Sequence, residues 1–303
     1  MPRILDLIET GFGEELDPHG WKMLHQMRRI YEPSALTRAV ASAAFETAGF
    51  VWVEDGDVVG NLSIRHAYPR NRQGRLIGNV VVHPDYRNRG IGRALMERAI
   101  EAARDQRAEW AGLEVRADNE IACRLYEQLG FRAVGITEHL LRPEGSPWPL
   151  SKRPDRRWRH SKPQDRLQWR HLASLLHNYD QRLILELRTD RFRTKNIEGW
   201  IKRWLSRQFE ETRVHEDDMG HLDLTLHVET DRGYRYHTWD VLLHPDTEEE
   251  GTRELMAQSM AMMRRLPTWP VVAIVANEPA LLAMLTDLGF RKHRTLQQMI
   301  LAL

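Results

Sequence analysis

The sequence predicts an α/β (α+β) protein made of two tandem copies of one domain, and two repeated motifs carry this prediction. Three apolar residues followed by His-Pro-Asp occur at Val80–Asp85 and at Val241–Asp246, each with a glycine five residues after the aspartate. A second pair of motifs, Leu129–Arg132 and Leu288–Arg291, follows in the same order with spacing equal to within two residues. A period of about half the chain indicates a duplicated domain rather than a solenoid.

Each copy is predicted to alternate strand, helix, strand and helix. In the first copy the strands cover 79–82 and 111–116, and the second helix runs from an N-cap at Asn119 to a stop at Gly130. The helix between the strands is predicted from apolar residues at helical spacing, namely Ile91, Leu95, Ala99 and Ala102. This order implies a parallel strand pair joined by a right-handed crossover.

The start of the chain is predicted to add two helices and a hairpin. Residues 3–12 and 34–48 have the pattern of helices. Asp55-Gly56 is typical of a hairpin turn, here between strands at 50–53 and 58–64.

A segment rich in Pro, Arg, Ser and Trp, without periodicity, indicates a linker at 146–162. The predicted domains are therefore 1–145 and 163–303. The end of the linker, 157–160, is expected to form the first strand of the second copy or to supply a strand that the first copy lacks.

The composition limits the classes of function. The chain has 303 residues and a net charge of +1, which gives the whole molecule no strong electrostatic reason to bind nucleic acid. No apolar run approaches the ~18 residues of a membrane span, and Asp6 and Glu9 interrupt the first apolar segment, which argues against a signal peptide. Cys123 is the single cysteine, which excludes an intrachain disulfide and a thiolate metal cluster. We expect a cytoplasmic protein that uses no metal, and a homodimer stays open.

The segment Arg87–Gly92 lies between a strand and the start of a helix, which is a position suited to binding an anion. The first N–H groups of a helix have no internal partner, and the helix dipole places partial positive charge there. Glycines at 90 and 92 would let a phosphate approach the backbone, and arginines at 87, 89 and 93 add charge. The alternative is a flexible turn with solvated arginines.

This segment and two further motifs resemble the GCN5-related N-acetyltransferase (GNAT) family. The resemblance is close over roughly 78–141 and loose over the rest of 1–141. The family signature, Gln/Arg-x-x-Gly-x-Gly/Ala, is matched by Arg87, Gly90 and Gly92. The ribosomal-protein N-terminal acetyltransferases of this family have similar residues, at the same spacing, to Leu113–Arg116, Asn119, Leu125-Tyr126 and Leu129–Phe131.

The resemblance implies a fold and a co-substrate, acetyl-CoA. Each domain should have a mixed, mostly antiparallel sheet with one splayed parallel strand pair, flanked by helices. The pantetheine arm should lie in the splay along the backbone of Val80, Val81 and Val82, with the Val82 N–H near the thioester carbonyl. The diphosphate should bind next to Arg87, on the N–H groups of Asn88, Arg89, Gly90, Ile91, Gly92 and Arg93.

Acyl transfer to an amine requires that the ammonium lose a proton and that the departing thiolate gain one. Tyr126, on the helix that would flank the thiol, is the candidate acid, and the alternative is a core tyrosine. Glu114 is the candidate base, because strand alternation takes its side chain off the core face; the alternative is a solvated glutamate near Arg116. Asn119 is expected to cap the helix and also to contact the coenzyme.

Two other reactive residues are interpreted as structural. His244 occupies the place of His83 in the second copy, which favours a role in the turn over a role as a base. Cys123 lies within a predicted helix and is expected to be a buried thiol.

The second copy is predicted to have lost the anion site. Its loop contains Glu248, Glu249 and Glu250, which would repel a phosphate, and Arg253 and Leu285 replace the second signature glycine and the tyrosine. The acidic and histidine residues near 215–221 are interpreted as a polar strand or turn rather than a metal site.

Two functions are consistent with these residues. The first is acetyl transfer to a primary amine, either a small amine or a peptide N-terminus, by direct attack in a ternary complex. The acceptor loops would then be 12–35, 65–76 and 136–150. The second is a non-catalytic acyl-CoA-binding sensor or interaction protein.

Overall fold

The computed structural model describes residues 2–13, 16–30, 48–67, 73–149, 157–189, 209–247, 249–276 and 278–303. The chain divides into two compact units, which are called unit 1 (Met1–Val134 and Gln297–Leu303) and unit 2 (Gly135–Leu296). Each unit thus contains a segment from the other half of the sequence. The mixed α/β class is as predicted. The domain limits 1–145 and 163–303 stay a prediction.

Unit 1 begins with two helices and a hairpin. The helices are α1 (Pro2–Phe12) and α2 (Pro18–Ile30), and the antiparallel strands are β1 (Ala48–Glu54) and β2 (Asp57–His66). The φ angles of Asp55 and Gly56 are 52° and 84°, the left-handed pair that a tight hairpin turn requires. The first predicted helix and the hairpin are confirmed. The predicted helix at 34–48 lies outside the described residues, except for Ala48 in β1.

The strand and helix alternation of unit 1 is also confirmed. It consists of β3 (Gly74–Val82), α3 (Ile91–Asp105), β4 (Trp110–Arg116), α4 (Glu120–Gln128) and the start of β5 (Arg132–Arg142). The helix α4 ends at Gln128 with Leu129 as its C-cap, and the next residue, Gly130, has a φ of 92°. The Phe131 N–H donates back to Tyr126 O at 3.0 Å. This is the glycine stop with an apolar contact beyond it that the sequence predicted.

The sheet of unit 1 has the order β1, β2, β3, β4, followed by residues 297–302 of the last strand, β11 (Arg291–Ala302). The Leu303 N–H donates to Glu109 O at 2.9 Å. Met299 is fully buried, and it packs with α3, α4 and β4 in one core cluster. A second cluster on the other face of the sheet joins α1 and α2 to Val81.

Unit 2 repeats the plan. Its additional strands are β6 (Trp158–His160), β7 (Phe209–Glu216), β8 (Leu222–Asp231), β9 (Tyr236–Leu243) and β10 (Val271–Ala276). The sheet has the order β5, β10, β9, β8, β7, β6, with residues 291–296 of β11 beside β5. The helices are α5 (Arg166–Leu176), α6 (Tyr179–Thr189), α7 (Glu249–Ala261) and α8 (Pro279–Asp287).

The strand at the end of the predicted linker, β6, pairs antiparallel with β7 in unit 2. The first of the two expectations for this segment is therefore confirmed. The alternative, a strand supplied to the first copy, is wrong, because the ladder partners of Trp158 and His160 are His215 and Arg213.

Candidate active site

The parallel strands β3 and β4 separate after a short common stretch. Their register joins only Gly74 to Trp110, Arg75 to Ala111 and Leu76 to Gly112. On its other edge β3 stays paired with β2, where Gly60 opposes Val82 and Asn61 opposes Val81. The backbone of Val80–Val82 therefore faces a gap on one side. Splayed strands in this position were the geometry expected for a pantetheine arm.

A β-bulge redirects the end of β3. Asn79 has a φ of 52°, and the register with β2 shifts between Asn61 and Ser63. The Asn61 amide donates to Asn79 O at 3.0 Å, and the Asn79 amide donates to Ser63 Oγ at 2.9 Å. Bulges of this kind bend a strand and re-aim its side chains. The bulge was not predicted from the sequence, although asparagine tolerates the left-handed region better than most residues.

The loop before α3 has two left-handed residues, Asn88 with a φ of 62° and Gly90 with a φ of 80°. Gly90 is the N-cap of α3, and no side chain caps the helix. The first intrahelical bond, from the Ala94 N–H to Gly90 O, measures 3.0 Å. The N–H groups of Ile91, Gly92 and Arg93 precede it, so they have no intrahelical acceptor. Left-handed turns leading into an uncapped helix start form a concave anion site.

The two signature glycines have different surroundings. A Cβ added to Gly90 would meet nothing within 4 Å, so this residue borders open space. A Cβ added to Gly92 would lie 3.8 Å from both Val82 and Leu125, which is ordinary packing distance. Gly90 is thus required for its backbone conformation. A side chain at position 92 would point toward packed residues, so Gly92 would contact a bound anion through its N–H.

The three arginines of the loop are engaged to different extents. Arg87 Nε donates to Val82 O at 3.3 Å. Arg89 pairs with Glu54 at 3.1 Å and stacks on the Tyr86 ring at 4.8 Å, and the Arg93 guanidinium donates to Gln128. Exposed ion pairs contribute little free energy, so a bound diphosphate could compete for these guanidinium groups.

Tyr126 is buried in the core of unit 1. It is 6% exposed, its ring centroid lies 6.1 Å from that of Phe131, and no hydrogen bond to its hydroxyl is found within the described ranges. Burial raises the pKa of the phenol to about 12, with a smaller contribution from the neighbouring Cys123. The phenol is therefore protonated at neutral pH, which is the form that a general acid requires, although its acidity is low.

Glu114 lies on the opposite face of β4 from Leu113 and Val115, as strand alternation predicted. Its side chain is exposed, and its Oε1 accepts a hydrogen bond from Gln298 Nε2 at 3.1 Å. Desolvation lowers the pKa of Arg65, and the Glu114 carboxylate partly opposes this effect. Neither Gln298 nor Arg65 was predicted from the sequence to lie near Glu114. Tyr126 and Glu114 thus lie on opposite faces of the sheet, next to the strand that borders the gap.

Asn119 caps α4, because its Oδ1 accepts from the Ala122 N–H at 3.1 Å. His83 Nδ1 lies 3.4 Å from the Asp85 N, and His244 Nδ1 lies 3.3 Å from the Asp246 N. The same contact in both copies supports the structural interpretation of these histidines. Cys123 is buried, and desolvation raises the pKa of its thiol.

In unit 2 the parallel strands also separate, but its described residues do not form the left-handed loop that precedes α3 in unit 1. Its parallel strands pair only from Val271 to Ala273, opposite 237–239. Here α7 begins at Glu249, however, and Gly251 lies inside the helix with no left-handed residue among those described at this turn. Glu248 and the side chains of 249 and 250 lie outside the described residues. At the tyrosine position, Leu285 O accepts from the Phe290 N–H at 3.0 Å, as Tyr126 O does from Phe131.

Within the described ranges, no three His, Cys, Asp or Glu side chains are grouped so that they could hold a metal ion. No helix in the same ranges is long and apolar enough to cross a bilayer.

Comparisons with known proteins find relatives of the first half of the chain. Residues 15–131 match the acetyltransferase (GNAT) family model. An N-alpha-acetyltransferase RimI of Mycobacterium tuberculosis is 32% identical over 122 residues, which are 38% of this chain and 70% of that protein. A ribosomal protein bS18 alanine N-acetyltransferase of Escherichia coli is 45% identical over 58 residues, 19% of this chain, and the chain spans only 39% of its length.

A solved structure matches the whole length. A tandem GNAT protein from the clavulanic acid biosynthesis pathway aligns over 99% of this chain and 94% of its own, with 20% identity and a TM-score of 0.59. This structural likeness shows the fold of the chain. The sequence relatives show that its first half shares an ancestor with them. The chain is homologous to N-acetyltransferases and belongs to the GNAT family, with the tandem arrangement of two such folds.

Proposed function

We propose that the protein is an acetyl-CoA-dependent N-acetyltransferase whose working coenzyme site is in unit 1. The observation that carries the proposal is the coincidence, in one unit, of a splayed strand edge at Val80–Val82 and an uncapped helix start after Asn88 and Gly90. Unit 2 has the splay without this loop. The proposal also places the protein in the cytoplasm.

In the proposed reaction the acceptor amine first loses its extra proton to Glu114, directly or through water. The nitrogen lone pair then attacks the thioester carbonyl carbon, and the oxyanion of the tetrahedral intermediate accepts a hydrogen bond from the Val82 N–H. The C–S bond breaks, the carbonyl forms again, and the thiolate takes a proton that the Tyr126 phenol donates. The nitrogen, which is positively charged after the attack, gives its surplus proton back to the Tyr126 phenolate directly or through water, so that the product is a neutral amide. Glu114 then loses its proton to solvent.

The acceptor class is a primary amine. Two of the relatives are named as a ribosomal protein bS18 alanine N-acetyltransferase and an N-alpha-acetyltransferase, which supports a peptide acceptor. Arg65 and Glu114 place both charges on the face of the sheet from which Glu114 projects. We infer that either a peptide N-terminus or a small amine is used. A panel that contains both kinds of amine decides between them.

Replacing Gly90 with alanine tests the coenzyme site. The φ of 80° at this residue is unfavourable for any side chain, so we expect the loop to shift and CoA affinity to fall by about tenfold, the equivalent of ~1.4 kcal/mol. Isothermal titration calorimetry with CoA measures the effect.

The matched control is Gly251→Ala, the same change at the equivalent residue of unit 2. Gly251 is helical and its added Cβ meets nothing within 4 Å, so CoA affinity should stay unchanged. Gly92→Ala should also bind CoA. Equal affinity losses for the 90 and 251 variants would argue against a site in unit 1.

Replacing Tyr126 with phenylalanine tests the chemistry. We expect kcat to fall by about 10–100-fold with little change in CoA affinity, because only the proton donor is removed. Because the phenol pKa is raised to about 12, the wild-type rate should show no loss between pH 8 and 10 from deprotonation of this tyrosine. Tyr236→Phe, at a buried tyrosine of unit 2, is the control and should retain full kcat.

The low acidity of Tyr126 favours one alternative, a protein that binds acyl-CoA without turning it over. CoA release measured with an amine panel separates the two functions. Binding without turnover of any amine would support the sensor.

A further inference from the structure

We infer that Gln298 is a positioning residue for Glu114. Strand β11 would thereby supply part of the unit 1 site, on the face of the sheet from which Glu114 projects. This inference rests on the proposed function, because it concerns the carboxylate that would accept the proton of the amine.

The strand geometry places the two side chains on one face. On β11, Met299 and Leu301 pack into the core beside α3 and α4, so Gln298 points to the other face. Glu114 points the same way from β4. Gln298 is fully buried, and its Nε2 donates to Glu114 Oε1 at 3.1 Å.

Because Gln298 is buried, its hydrogen bond can fix the orientation of the Glu114 carboxylate. A buried amide with few accessible rotamers holds its donor in one place, whereas an exposed glutamate has many rotamers. The bond therefore selects a rotamer of Glu114 and orients its carboxylate.

In the described part of the chain, two arginines lie on the same face of the sheet as Glu114. Arg65 on β2 interacts with Glu114 electrostatically. On β4 itself, Arg116 is on the same side and pairs with Asp118 at 2.5 Å. Gln298 contributes an uncharged donor to Glu114, so its removal should change the orientation of Glu114 without adding a charge.

The test is Gln298→Leu in the full chain, with Gln297→Leu as a matched control. Gln297 is the same residue type, one position earlier, and its side chain leaves the strand on the opposite face. We expect Gln298→Leu to lower kcat/KM for the amine about 5–10-fold and to leave CoA affinity unchanged. Gln297→Leu should change neither of these.

The ¹³C NMR resonance of the Glu114 side-chain carboxyl, recorded at one pH, gives a second readout that needs no turnover. Loss of the hydrogen bond should move this resonance in Gln298→Leu and leave it in place in Gln297→Leu. If turnover is normal and the resonance is the same in wild type and both variants, the inference is wrong. If the resonance moves as expected and no amine is acetylated, the positioning role stands and the proposed function fails.

A double-mutant comparison excludes a purely structural effect. In a Glu114→Gln background, Gln298→Leu should cause no further loss of kcat/KM. An equal loss in both backgrounds would show that Gln298 acts on the fold and would overturn the inference.

Discussion

Replacing Met299 with alanine should lower the free energy of unfolding by about 3 kcal/mol and weaken CoA binding as a consequence. The side chain is fully buried in the core cluster that contains Leu113, Val115 and Tyr126. Truncation leaves a cavity between β4 and the helices that carry the candidate site, and the cost grows with the part of that cavity that cannot collapse. Urea denaturation and CoA titration measure the two effects.

The control is Met219→Ala, the same truncation at a methionine that is 82% exposed in unit 2. It removes almost no buried surface and should leave the free energy of unfolding within about 0.5 kcal/mol of wild type. If the two variants unfold at the same denaturant concentration, residues 297–303 do not stabilise unit 1 as the structure indicates.

Much of the first unit was predictable because its signals are local. Asp55-Gly56 specifies a turn by its backbone preferences, and Gly130 followed by Phe131 ends a helix by a contact a few residues away. The loop from Arg87 to Gly92 was identified in the same way, since its charge, glycines and position before a helix are adjacent in sequence. Each of these features involves fewer than ten residues.

The features that the sequence did not reveal depend on pairing between distant segments. Nothing near Gln298 or Met299 indicates that they belong to unit 1, because the partner strand β4 is more than 180 residues away in the chain. The bulge at Asn79 was missed for a related reason, since it is defined by register with β2. The start of α7 at Glu249 was also unexpected, because the repeat placed Gly251 before the helix rather than inside it.

Glu278→Gln should stabilise unit 2 at alkaline pH and leave it unchanged at acidic pH. Glu278 precedes α8, its carboxylate is partly buried, and no hydrogen bond or ion pair to it is found within the described ranges. Burial raises its pKa from 4.5 to about 8. The folded state therefore retains a proton that the unfolded state has already lost at neutral pH.

The sign of the effect follows from this order of pKa values. The contribution of the protonated acid to stability is fully present below pH 4.5 and is lost progressively as the pH rises through about 8. Glutamine is neutral throughout, so Glu278→Gln should unfold like wild type at pH 4.5 and be more stable by about 4–5 kcal/mol at pH 8.5.

Glu120→Gln is the matched control, because Glu120 holds the equivalent place in the first copy. Its side chain is 77% exposed and pairs with Arg124 at 2.9 Å, so its removal should change stability by no more than about 0.5 kcal/mol at either pH. Urea denaturation of the three proteins at pH 4.5 and 8.5 tests the prediction. A gain for Glu278→Gln that is equal at both pH values would point to packing rather than to the buried charge.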